Sequence, residues 1–212
     1  MPNWCYTSYV IEGDKKEVKD LYCKLNGLLE METSLLENGF GNGWLGNVVQ
    51  TFGGDPKKIS CRGCFDNLEI EEDASFLCFN TETAWSDKPE VWDLVLSRYE
   101  TLKCYFRAEE CGVAYYATSD SEGKHFPERY ITETSLNGIM LFEDEVEVFK
   151  YFEEITSISV SGMEEMEEQA RNFNSMDEDK FFYIHQFEII NTNEDETVKS
   201  FLSQQPSHKF QN

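Results

Sequence analysis

Cys61-Arg-Gly-Cys64 has the spacing of a zinc or redox pair. A structural zinc site needs four ligands, and the chain has no second C-x-x-C and no H-x₃₋₅-H. Cys104, Cys111 or His125 would have to complete the site through the fold. Redox use would favour a helix N-terminus that lowers a thiol pKa, whereas this pair falls in a predicted strand or bulge. Two metal ligands, Cys61 and Cys64, are therefore set against two strand thiols as the simpler reading. The three histidines are His125, His185 and His208. No nucleophile arrives with an evident base and orienter, which points away from catalysis.

Other motifs weaken on inspection. Gly41-Asn-Gly-Trp-Leu-Gly46 matches G-x-G-x-x-G, with Asp66 twenty residues beyond. Dinucleotide binding needs a strand before that loop, and here a helix precedes it. No cofactor is expected. The acidic clusters Glu69–Asp73, Glu143–Glu145 and Glu194–Glu196 do not follow an EF-hand loop and read as solvated faces. Trp4, Trp44, Trp85 and Trp92 read as core residues. Met163-Glu-Glu-Met-Glu-Glu168 is different. Met163 and Met166 share a helical face flanked by Glu164, Glu165, Glu167 and Glu168. Such a helix suits a basic groove on a partner, or else packs on its own domain with a charged outer side.

The elements that must position these groups follow from periodicity. Residues 4–12 predict a strand, rich in aromatic and β-branched types. Asp14 predicts a helix cap, and Val18, Leu21, Tyr22, Leu25, Leu28 and Leu29 an apolar stripe behind it. Residues 32–58 form an insertion, with a short helix in 44–52 ended by Gly53-Gly-Asp-Pro56. A hairpin is expected over 59–71 and 75–83. A helix begins at Pro89, with Val91, Trp92, Val95, Leu96, Tyr99 and Leu102 on its buried face. Strands follow at about 103–109, 112–119 and 129–135.

This β-α-β-β-α-β order predicts an α+β fold: a ferredoxin-like split β-α-β antiparallel sheet with two helices on one face and an extra hairpin. Residues 1–142 form that domain. Residues 143–212 form an acidic C-terminal extension packed on it, with a helix at 143–157 bearing Val146, Phe149, Phe152 and Ile155 on one side. A second helix at 163–173 and a strand at 181–190 follow, and the last twenty residues or so fray.

Charge limits the partners. Forty-one acids face eighteen bases in 212 residues, a net of −23. Magnitudes of roughly 2–8 are usual for small soluble domains. The field repels phosphate backbones and anionic lipids, so no direct nucleic-acid or membrane partner is expected, and a basic protein fits better. Residues 143–212 carry 17 acids and 5 bases, half of the excess. The N-terminus lacks the basic and apolar regions of a signal peptide, no stretch reaches a membrane span, and seven irregularly spaced cysteines suit reduced thiols. A cytoplasmic location is expected.

Met1-Pro-Asn-Trp-Cys5, Thr83-Ala-Trp-Ser86 and Glu109-Glu-Cys-Gly-Val-Ala-Tyr-Tyr116 resemble segments of a phage and plasmid family with a ferredoxin-like N-terminal domain, the Api-like or YubB-like type. Trp44-Leu-Gly-Asn47, Cys61-Arg-Gly63 and Gly123-Lys-His-Phe-Pro-Glu-Arg129 resemble a branch carried on integrative elements of gut bacteria. The resemblance spans roughly residues 1–135. It implies a fold and a mobile-element origin, and carries no catalytic residue. Where that family has a proline, this chain has Asp87-Lys88.

The leading expectation is a non-enzymatic accessory protein of a mobile element. Its sharper form is an acidic mimic of DNA charge that binds a basic host or element protein. A metal- or thiol-dependent enzyme using Cys61 and Cys64, and a small-ligand module, are the alternatives.

Overall fold

The computed structural model describes residues 2–176 and 179–190. Strand β1 (Trp4–Glu12) lies at the centre of a six-stranded sheet. Its side chains alternate. Cys5, Thr7, Tyr9 and Ile11 are buried against helices, while Tyr6 on the opposite face is exposed. Helix α1 (Lys15–Leu29) starts where the Asp14 carboxylate accepts the Lys16 N–H at 2.9 Å, and it buries Val18, Leu21, Leu25 and Leu28. Helix α2 (Leu45–Thr51) closes the insertion. Buried Asn47 knits that insertion together, accepting from Leu36 N and donating to Ser34 Oγ and Asn42 O.

The hairpin is β2 (Gly63–Ile70) and β3 (Phe76–Ala84). Pro89 opens α3 (Pro89–Leu96), and β4 (Lys103–Glu110) and β5 (Tyr115–Thr118) complete the run. Strand order is β2-β3-β1-β4-β5, with every neighbouring pair antiparallel. The fold is therefore mixed α+β. The predicted elements are present up to this point, three of them shorter than expected: the strands expected at 59–71 and 112–119 are Gly63–Ile70 and Tyr115–Thr118, and the helix from Pro89 is the third. Helix α3 stops at Leu96, so Tyr99 and Leu102 pack on the core from beyond its end.

Beyond residue 119 the structure departs from expectation. Strands β6 (Tyr130–Thr134), β7 (Gly138–Phe142) and β8 (Phe182–Gln186) form a separate three-stranded sheet. It carries α4 (Glu145–Thr156) and α5 (Met163–Met176) around a second core. This unit begins near residue 130, ahead of the boundary expected at 142, because β6 pairs with β7 and β8. The single strand expected at 181–190 breaks at Phe187. Its second part, β9 (Glu188–Ile189), crosses to pair in parallel with β5. The Phe187 and Ile190 N–H groups donate to Arg129 O at 2.9 Å and Thr118 O at 2.8 Å, which pins the crossover. Val146, expected on the apolar side of α4, is 57% exposed. The buried stripe is Val148, Tyr151 and Phe152, and Val146 lies about 200° around the helix from Val148.

Candidate functional site

A cleft of about 720 Å³ opens on the helix-bearing face of the large sheet, between α3 and the turn after β5. Its floor is aromatic. Tyr9 and Phe106 are cross-strand partners, and Trp92 of α3 lies 5.2 Å from Tyr9 between ring centroids. Tyr9 also stacks on Phe79 at 5.0 Å, so its ring is held from two sides.

One wall is the start of α3. Asp87 accepts from the Tyr115 hydroxyl at 2.7 Å, and Lys88 donates to Ala84 O at 2.7 Å. Burial raises the Asp87 carboxyl, against the opposing effects of Tyr115 and Lys88. Burial lowers the Lys88 ammonium.

The other wall is the turn that begins at Ser119. Phe106 N donates to Ser119 Oγ at 3.0 Å, and Thr118 Oγ1 donates to Phe106 O at 2.8 Å, which fastens the turn to β4. Asp120 Oδ2 accepts from His125 N at 2.6 Å and Phe126 N at 2.8 Å. Burial disfavours the Asp120 charge, yet the backbone N–H groups of His125, Phe126 and Lys124 outweigh it and hold the carboxyl below its ordinary range. The loop then wraps the sheet end, where His125 Nε2 lies 3.0 Å from Glu12 Oε2 and Lys124 pairs with the same carboxylate. Asp87, Asp93, Asp120 and Glu122 line the cleft against one cation, Lys103.

Three polar atoms of the lining residues are buried without a hydrogen-bond partner: Tyr9 Oη, Trp92 Nε1 and Asp120 Oδ1. These residues are 2%, 2% and 1% exposed. Each such atom costs about 1–3 kcal/mol, and folded proteins leave few of them. Three of the six such side-chain atoms among the described residues belong to residues that line this one cleft, which distinguishes it. Burial pushes up the Cys104 thiol and the Tyr9 phenol, keeping both in their neutral forms.

The chain matches no protein-family model, no curated protein and no solved structure.

The residues singled out by sequence lie elsewhere. Cys61 packs into the helix-side core, with Sγ 3.5 Å from Pro56 O. Cys64 pairs with Glu82 across β2 and β3, on the face that carries Tyr6, so the two thiols diverge. Gly63 between them has φ +154, and a Cβ there would strike the Glu82 carbonyl oxygen. Burial raises both thiols, and Glu82 and Asp66 add to the effect at Cys64. Among the described residues, no group of three or more His, Cys, Asp or Glu side chains could hold a metal ion.

Met166 is fully buried in the second core and Met163 packs beside it, while Glu164, Glu165, Glu167 and Glu168 face solvent. The apolar side of α5 is thus already occupied by its own unit. His185 stacks on Tyr116 with ring centroids 4.4 Å apart, and burial lowers its pKa. His208 and Glu194–Glu196 lie outside the described residues. Trp85, expected in the core, is 51% exposed at φ +75. In sequence Ser119–Gly123 reads as a plain turn into the strand expected at 129–135. An Asp three residues before a Gly was the available signal, and it reads as turn chemistry until the burial is known.

Proposed function

We propose that this chain is a non-catalytic binding protein whose ligand seat is the cleft between α3 and the Ser119–Glu122 turn. The observation that carries the reading is that three residues lining this one cleft each hold a buried polar atom without a hydrogen-bond partner: Tyr9 Oη, Trp92 Nε1 and Asp120 Oδ1. A ligand would supply the missing partners. The scaffold is a ferredoxin-like domain. The antiparallel order β2-β3-β1-β4 supports this, as do α1 and α3, whose buried faces join one core with β1. The resemblance of residues 1–135 to the mobile-element family supports an accessory role in such an element.

Raised thiols and the divergence of Cys61 from Cys64 favour binding over thiol or metal chemistry. The exposed glutamates of α5 support a second contact, electrostatic and salt-sensitive, with a basic protein. Among the described residues, no helix is long and apolar enough to cross a membrane.

The test is a thermal-shift screen of small polar and aromatic compounds. The full chain is compared with a cleft-filling variant, Ser121→Trp. Compounds that raise Tm of the native protein should lose that effect on the variant. A screen with no hits, or hits that the variant binds equally well, would overturn the reading.

A further inference from the structure

We infer that the cleft binds an organic cation, an ammonium or guanidinium group, with Asp120 Oδ1 as its charge partner. The inference rests on the cleft being a ligand seat and names what sits in it. Four properties of the site select a cation.

The first is the ionisation of Asp120. Its Oδ2 is committed to two backbone N–H groups, which stabilise the carboxylate form. Its Oδ1 is buried and has no donor. A buried carboxylate with one oxygen unpaired is an acceptor awaiting a donor, and a charged donor makes the stronger bond.

The second is the floor. Tyr9, Trp92 and Phe106 line the cleft, the Tyr9 ring tilted 48° to Trp92 and 45° to Phe106, and aromatic rings attract a desolvated ammonium or guanidinium.

The third is the balance of nearby charge. Asp87, Asp93, Asp120 and Glu122 outnumber the one lining cation, Lys103, and Lys88 next to Asp87 turns away to the Ala84 carbonyl oxygen. Anionic ligands meet this field as repulsion, whereas cations are concentrated by it.

The fourth is specificity within an acidic chain. Glutamates on α5 are denser in sequence, but they are solvated and have no aromatic floor. Bulk charge would attract a cation anywhere on the surface. The cleft adds a desolvated carboxylate and aromatic rings that α5 lacks.

The cation can come from a free amine or from a lysine or arginine side chain of a basic protein. The experiment titrates the full chain with four probes, followed by tryptophan fluorescence and calorimetry. They are 1,4-diaminobutane, methylguanidine, a lysine-rich hexapeptide and 1,4-butanediol as the neutral isostere. At least one cationic probe should bind, with affinity falling as salt rises, and butanediol should not. Asp120→Asn should weaken binding tenfold or more. Its amide oxygen can still accept from His125 and Phe126, but its NH₂ puts a donor where the cation needs an acceptor. Glu122→Gln on the exposed rim keeps the test informative should Asp120→Asn fold poorly, and should weaken binding two- to fivefold. Glu164→Gln with Glu168→Gln on α5 should change it less than twofold. A hexapeptide tenfold tighter than the diamine assigns the cation to a protein partner. Comparable affinity assigns it to a free amine. Both results support the inference.

Equal binding of butanediol, or full affinity in folded Asp120→Asn, overturns the inference. So does an equal loss from the α5 variants. A neutral compound that binds and is blocked by Ser121→Trp, with no response to amines, overturns the cation assignment alone. Absence of any cleft-dependent ligand overturns the binding-protein reading with it.

Discussion

Helix α5 and the Ser119–Glu122 turn are both acidic, and they use acidity in opposite ways. On α5 the glutamates project into water, and Met166 and Ala170 beneath them fill the core of the same unit. Its polar contacts are of the ordinary surface kind, such as Glu165 accepting from Ser161 N and Oγ at 2.8 Å and the exposed Arg171–Glu167 pair at 3.9 Å. At the turn a single carboxylate is drawn inside, fixed by two amides and left with a free oxygen. Density of charge along the chain therefore does not locate the site. A buried, half-unpaired carboxylate is the stronger pointer, because solvated charge is inexpensive and buried charge demands compensation.

The sharpest way to break this comparison is to test which side of α5 matters. Met166→Ala should destabilise the protein by about 2–5 kcal/mol in urea unfolding, as expected for a fully buried side chain. Little loss would mean that the methionine face is free for a partner.

Asp120→Ala comes next. It strands two amide donors and should cost about 2–3 kcal/mol. The same residue makes a pH prediction. Its folded pKa is depressed, so its stabilising contribution is complete above the ordinary carboxylate range and lost as pH falls through the folded value. The stability gap between native protein and Asp120→Ala should therefore narrow on acidification from neutrality to below about pH 3.9. A gap that widens would show that the carboxylate is not the stabilising form.

Tyr9→Phe should be small and of informative sign. Its hydroxyl has no partner, so removal should leave stability within about 1 kcal/mol, neutral or improved, while any cleft ligand binds more weakly. A large loss of stability would reveal a structural role for the hydroxyl. Smallest of all, Glu164→Gln should change stability by less than about 0.5 kcal/mol, since the residue is exposed.

Much of the fold was legible because its elements are local patterns. The aromatic and β-branched content of Trp4–Glu12, the Asp14 cap, the stripe of α1, the hairpin and the Pro89 helix start each follow from a short stretch of chain. Strand β7 was not legible. Gly138–Phe142 is an edge strand with exposed Ile139 and Met140, so it lacks the polar–apolar alternation that marks a half-buried strand. The break at Phe187 was hidden as well, since one uninterrupted strand-like segment, 181–190, serves two sheets.

The candidate site divides the same way. Composition alone set the charge of −23 and the supply of aromatics, and spacing alone set the amphipathic character of α5. Tertiary structure alone decided that Cys61 and Cys64 point apart, that Met166 faces inward, and that Tyr9, Trp92 and Asp120 meet at one cleft. Periodicity reports which face of an element is apolar. It does not report what that face meets, and an unpaired buried atom is defined by its neighbours in space.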